Sequence, residues 1–310
     1  METSAPVRLL YVGGVPRSGS TLADLMIGQL PGHVGVGELY YLWTDGPHNN
    51  VRCACGVPFT GCPFWREVGE RAYGGWSPTL VDEVLALQLR VDRTPRIPAL
   101  VAPPAGSAFA RAVTRYTDLL TALYRAIADT SGARVVVDSS KRPSLAFALR
   151  GAPGVDLAVA HVVRDPRGVA FSWGKRVADG ATHRGDMPRW SPATVSRRWV
   201  TVNASVAALR RFGVRGVRVR YEDLVADPPR QLARIAALHG IEVRPADLGF
   251  LADGGVRPAA THTIAGSRIR HSDGVLPLRL DEEWRTALPA AQRRFVTAAT
   301  AVSRWRYGYH

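Results

Sequence analysis

The segment Gly14-Val15-Pro16-Arg17-Ser18-Gly19-Ser20-Thr21 sets two glycines five positions apart and follows them with two hydroxyl residues. This is the spacing of a phosphate-binding loop, in which backbone N–H groups and a helix N-terminus cradle an anion. A nucleotide hydrolase carries lysine where Ser20 stands. The loop is therefore expected to hold a phosphate-like group without that lysine. Arg17 would add charge, and Ser20 and Thr21 hydroxyl donors.

Two further stretches carry chemistry. In "VVVDSSKRP", residues 135–143, an apolar run ends in Asp138 and is followed by Lys141. Read as an ATP-driven phosphotransferase, Asp138 would be the acid that holds magnesium at a strand end. Alternatively, Lys141 points a positive charge at whatever the glycine loop holds. In "HVVRDPRGVAFSWGKR", residues 161–176, Arg164 ends an apolar run. Ser172 lies seven residues after Asp165, on the same helix face. Arg164 and Ser172 are expected to close on one anion, and arginine suits bidentate phosphate recognition. The chain thus offers two separate anion sites. A nucleoside with phosphate groups at both ends fits them better than ATP does.

These residues need strands that end at them. Residues 7–13 read as a buried strand, and 20–30 as a helix with Leu22, Leu25, Met26 and Leu30 on one face. The glycine loop between them has the context that makes such a motif credible. Residues 134–138, 157–163 and 216–220 read as three more strands. Helices are expected over 108–130, 166–178, 191–212, 229–239 and 289–306. Alternating strands and helices imply an α/β fold, a mostly parallel central sheet flanked by helices. No break in composition divides the chain, so residues 1–310 are expected to form one domain, with 1–6 flexible. Stretches 91–107, 179–192 and 252–280 read as loops or lids.

The chain has 40 Lys and Arg against 26 Asp and Glu, a net charge of +14. Only Lys141 and Lys175 are lysines. The charge is spread along the chain, without a basic tail, and no basic–aromatic interleaving of the kind that marks RNA-binding sheets is present. A nucleic-acid partner is not expected. No apolar run is long enough for a secretion signal or a membrane span, so a cytoplasmic protein is expected. The three cysteines, Cys53, Cys55 and Cys62, form a C-x-C…C cluster. They read as reduced thiols in a tight turn or one local disulfide. Zinc, with a fourth ligand such as His48, is the less favoured reading, because zinc sites usually show C-x₂-C pairs.

The motifs together resemble the sulfotransferases that use 3′-phosphoadenosine 5′-phosphosulfate. The resemblance runs from residue 8 to about 306 and implies a P-loop-containing nucleotide-binding fold. It assigns Pro16, Arg17, Ser18, Gly19, Ser20 and Thr21 to the 5′-phosphosulfate. Arg164 and Ser172, eight residues apart as in the family, would hold the 3′-phosphate. "RYEDLVADPPRQLARIAALHGI", residues 220–241, is similar to the family's Tyr-Glu-Asp-Leu segment and brings in Tyr221. "GSRIR", with Gly266, Ser267, Arg268 and Arg270, stands where the family has a late basic loop over the nucleotide. The loop "VPRSGSTL" is closest to the protein-tyrosine sulfotransferases and their bacterial relatives. There a glutamate 21 residues after the loop arginine, within a Gly-Glu pair, is the base, which implies Glu38 after Gly37. Lys141 matches the family's lysine in "KRP".

The resemblance implies sulfuryl transfer to a hydroxyl of a small molecule or glycoconjugate, with no metal required. Glu38, Lys141 and Arg17 would be the catalytic groups and adenosine 3′,5′-bisphosphate the product. His33, expected in a turn, and His48 and His161 are the other candidate bases. His161 is expected to be a core or wall residue. Tyr40, Tyr41 and Trp43 beside Glu38 read either as an acceptor pocket or as core. The 53–62 insertion and the 91–107 and 179–192 loops depart from the tyrosine enzymes and argue against a tyrosine-peptide acceptor.

Overall fold

A computed structural model describes residues 5–175, 188–265 and 274–310. Gly266, Ser267, Arg268 and Arg270, and residues 179–187 of the expected second loop, lie outside the described residues.

The chain opens with β1 (Val7–Gly13) and α1 (Ser20–Ile27), joined by the glycine loop. β2 (His33–Gly35) follows. Its three residues leave too short an apolar run to read from sequence, and His33, expected in a turn, begins this strand. Next come α2 (Pro63–Tyr73), α3 (Pro78–Val91), α4 (Ile97–Val101) and α5 (Ala108–Ser131). Proline opens both α2 and α3, where its missing N–H costs nothing. The Ser77 hydroxyl caps α3 by accepting from the Leu80 amide. The stretch 91–107 is therefore not simply a loop, because α4 lies within it.

β3 (Val135–Asp138), α6 (Pro143–Leu149), β4 (Val155–Val163) and α7 (Pro166–Gly174) complete the central pairing. After α8 (Pro192–Ala208) come β5 (Arg215–Arg220), α9 (Tyr221–Ala226) and α10 (Pro228–Ala236). The stretch 252–280, read as a loop, contributes to a small antiparallel sheet of β6 (Leu251–Ala252), β7 (Gly255–Val256) and β8 (Leu276–Pro277). α11 (Trp284–Ala287) precedes α12 (Ala290–Ala299) and α13 (Ala301–Arg306). The single helix expected over 289–306 is broken at Thr300, whose hydroxyl bonds back to the Val296 carbonyl at 2.7 Å.

The main sheet has the order β2-β3-β1-β4-β5, with every pairing parallel. Alternate residues of each strand enter opposite cores. Leu9, Tyr11, Val136 and Val159 pack with α5 on one side, where Tyr116, Leu120, Tyr124 and Ile127 are buried. Leu10, Val12, Val135, Val137 and Ala160 pack with Met26, Leu232 and Ile235 of α1 and α10 on the other. Two covered faces explain the mostly apolar runs of β1, β3 and β4. They also leave the carboxyl ends of the strands as the open edge where α/β sheets bind ligands.

Candidate functional site

Each strand of the main sheet delivers a sequence-predicted residue at its carboxyl end. β1 runs into the glycine loop, β2 leads to Glu38, β3 to Lys141, β4 to Arg164, and β5 to Tyr221.

The loop bends in the left-handed region at Arg17 (φ 71°) and at Gly19 (φ 86°). Glycine is required at 19, because a Cβ there would sit 2.4 Å from the Tyr221 ring. Ser20 and Thr21 start α1, whose first amides have no acceptor inside the helix. Ser18 is fully buried, and its hydroxyl has no hydrogen-bond partner among the described residues. The Pro16 carbonyl accepts from the Trp173 indole at 3.2 Å. The Arg17 guanidinium lies 4.4 Å from the Trp173 ring centre and donates to the Ser172 carbonyl.

Arg164 is buried, in ion-pair contact with Asp281 at 2.9 Å, and 4.6 Å from the Tyr221 ring. It also donates to the Arg17 carbonyl at 3.3 Å. The two stretches expected to bind separate anions thus adjoin: Arg164 touches the loop, and the loop's arginine touches the Ser172 carbonyl. The partner of Asp165 is Arg167, at 2.6 Å, rather than Arg164. The Arg164 backbone is clamped as well. Its carbonyl accepts from the buried Trp199 indole at 2.9 Å, and Glu222 holds the next amide at 3.1 Å.

Glu38 and Lys141 form an ion pair at 2.7 Å with little exposure of either side chain. Gly37, before Glu38, has φ 73°, and a Cβ on it would lie 2.7 Å from the Ala265 carbonyl. Lys141 itself adopts a left-handed backbone (φ 61°), sparsely allowed for a residue with a side chain. The turn is held on both sides. Asp138 accepts from the Ser140 amide at 2.8 Å and the Tyr124 hydroxyl at 2.7 Å. Arg142 binds Asp92 at 2.9 Å, stacks on Tyr40, and exchanges backbone hydrogen bonds with the Tyr11 hydroxyl. Both Asp138 oxygens are therefore occupied in holding the lysine turn.

A cleft of about 110 Å³ opens beside this pair, lined by Thr21, Asp24, Glu38, Ser139, His262 and Thr263 among others. Asp24 was not found by the sequence reading, because only the fold shows that its position on α1 is buried. Burial pushes its carboxyl up to about 7, against the pull of the Lys141 ammonium. The aromatics beside Glu38 divide. Trp43 is fully buried against Tyr73 and Trp76 and belongs to the core, whereas Tyr41 is exposed.

The histidines offered as alternative bases lie elsewhere. His161 bonds Asn203 at 3.0 Å within the core, and burial lowers it to about 4. His33 starts β2, at the opposite end from Glu38, and burial lowers it to about 4 as well. His48 closes a wide helical turn over Thr44–His48 and is not among the cleft's lining residues.

Residues 10–245 match the sulfotransferase family. The chain belongs to that family. Among solved structures it is similar to the sulfotransferase domain of the Synechococcus PCC 7002 olefin synthase, with 23% identity and a TM-score of 0.50 over 97% of this chain and 96% of that one. It is also similar to sulfotransferase STF9 from Mycobacterium avium, with 12% identity and a TM-score of 0.50 over 99% of this chain and 78% of that one. At these identities the likeness is one of fold. A search of curated proteins finds no match. Among the described residues, no helix is long and apolar enough to cross a membrane.

The Asp24 environment predicts a pH dependence of stability. An unfolded aspartate titrates near 3.9 and the folded one at about 7. Between these values the folded chain binds the extra proton, so this group's contribution to stability falls as pH rises through the window. Asp24→Asn should remove that slope. Denaturant unfolding should find the variant more stable than wild type at pH 8, by on the order of 3 kcal/mol, with the gap closing toward pH 4. A gap independent of pH would mean that Asp24 titrates normally.

Proposed function

We propose that this sulfotransferase moves a sulfuryl group from 3′-phosphoadenosine 5′-phosphosulfate to a hydroxyl of a small-molecule or glycoconjugate acceptor. The observation that carries the reading is the contact between Arg164 and the glycine loop. It sets a second buried cation beside the proposed 5′-phosphate cradle, across β1 and β4, which supports a ligand with two phosphate groups. An ATP–magnesium phosphotransferase has less support, since the acid it needs, Asp138, is engaged by Tyr124 and Ser140. We take residues 1–310 as one domain, and the reducing cytoplasm, which suits three free cysteines, as its setting.

In this reading the first-turn amides of α1, with Arg17, Ser18, Ser20 and Thr21, receive the 5′-phosphosulfate. Arg164 and Ser172 receive the 3′-phosphate, and Tyr221 packs beneath Arg164. Gly266, Ser267, Arg268 and Arg270, outside the described residues, are assigned to the nucleotide by the resemblance alone. The acceptor enters the cleft beside Glu38. Its oxygen attacks sulfur as the bond from sulfur to the 5′-phosphate oxygen breaks, and Glu38 takes the acceptor's proton. Negative charge grows on the departing phosphate, where Lys141 and the loop amides stabilise it. Holding base and cation within one hydrogen bond fixes both relative to the reacting line.

Two substitutions separate these roles. Arg164→Ala should weaken adenosine 3′,5′-bisphosphate by about 10- to 150-fold, the value of a charge-assisted hydrogen bond. Adenosine 5′-phosphosulfate, which lacks the 3′-group, should lose much less in the same titration. Equal losses would make Arg164 a prop for the loop. Glu38→Gln should lower turnover of an alcohol acceptor by about 10²–10⁴-fold, with bisphosphate affinity nearly unchanged. With phenols of falling pKa the deficit should shrink. Normal turnover by this variant would remove Glu38 as the base.

A further inference from the structure

The C-x-C…C cluster gains a fourth partner from the far end of the chain. Cys53 and Cys55 lie in a tight turn closed by a bond from the Cys53 amide to the Val57 carbonyl, and Cys62 directly precedes α2. His262 arrives from a segment some 200 positions later. All three cysteines are free, and their sulfurs and the His262 Nδ1 lie within 4.8 Å of one another. Cys62 Sγ is 3.6 Å from Cys55 Sγ and 3.7 Å from Cys53 Sγ. The His262 Nδ1 is 3.3 Å from Cys62 Sγ and 3.8 Å from Cys53 Sγ.

We propose that Cys53, Cys55, Cys62 and His262 bind one structural zinc ion. A tetrahedral zinc with Zn–S near 2.3 Å and Zn–N near 2.0 Å separates its sulfurs by about 3.8 Å and sulfur from nitrogen by about 3.5 Å. These four spacings lie close to those edges, and the other two ligand pairs lie within 4.8 Å. Thiolate and imidazole donors favour zinc over the oxygen-seeking cations. A disulfide between two of the cysteines would leave no reason for a histidine to meet the third. The imidazole is held in orientation: it stacks on Phe64 with ring centres 4.6 Å apart, and its own carbonyl accepts from the Trp65 indole at 2.6 Å. The fourth ligand is thus His262, where the sequence offered His48.

The ion would fasten a wall of the acceptor cleft. His262 and Thr263 line that cleft opposite α1, and the Thr263 carbonyl accepts from the Ala54 amide at 3.0 Å. A closed four-ligand site leaves no position for substrate. The zinc therefore takes no part in sulfuryl transfer, and the assignment is independent of the donor and acceptor.

Metal analysis of the full-length protein, purified without a chelator or metal-affinity step, should find one zinc per chain. Cobalt exchanged into the site should give thiolate-to-cobalt charge-transfer absorption. Cys55→Ser changes the exposed ligand with least effect on packing, and His262→Ala removes the nitrogen. Each should cut zinc affinity by more than ~10-fold while His48→Ala retains it. Chelation should lower the Tm of wild type and leave that of Cys55→Ser unchanged. Three titratable thiols without zinc in protein grown on supplemented medium would overturn the proposal. So would an intact mass two hydrogens short, which marks a disulfide, or full zinc retention in both ligand variants.

Discussion

The site depends on one constraint, that five strands run parallel in register and stop at a common edge. Register between β1 and β3 sets Tyr11 beside Asp138, and register between β1 and β4 sets Gly13 beside His161. The glycine loop, the lysine turn and Arg164 then leave the sheet at neighbouring points. Together they would gather positive charge at one partly buried edge, where it is screened less than in open water. The buried hydrogen bonds behind them hold the chain where its backbone is least comfortable, at Arg17 and Lys141. Tyr124 and Ser140 on Asp138, Asp92 on Arg142, and Trp199 on the Arg164 carbonyl are the supports.

Much of this was legible in the sequence because it is local. Apolar runs ending in glycine, aspartate or arginine marked four of the five main strands. Their ends carried the loop, Lys141 and Arg164 with them. β2 was missed, since three residues carry no period, and with it the true position of His33. Helices α2 and α3 were also missed, though proline opens each one and serine caps α3. Glu38 rested on resemblance, and the fold puts it in contact with Lys141, which no spacing could announce. The same holds for Asp24, buried where α1 packs against β2, and for His262, which the fold brings to the cysteines from some 200 positions away.

The cleft beside Glu38 is walled by residues of α1, β2 and the Gly37–Glu38 turn on one side and by the 259–265 segment on the other. That segment is tied to the 53–62 turn by the Ala54–Thr263 backbone hydrogen bond and by the His262–cysteine cluster. The 53–62 insertion thus helps position one wall of the cleft beside Glu38. In the proposed reading, acceptor selectivity would depend on the cysteine turn through that wall, whereas the proposed donor surface rests on the sheet itself.

The most direct measurement of the central claim is calorimetry of the purified chain with two nucleotides, adenosine 3′,5′-bisphosphate and ATP with magnesium. If the edge of the sheet is built for phosphates at both ends of a nucleoside, the bisphosphate binds more tightly, and magnesium leaves its affinity unchanged. Tighter binding of ATP, dependent on magnesium, would contradict the account.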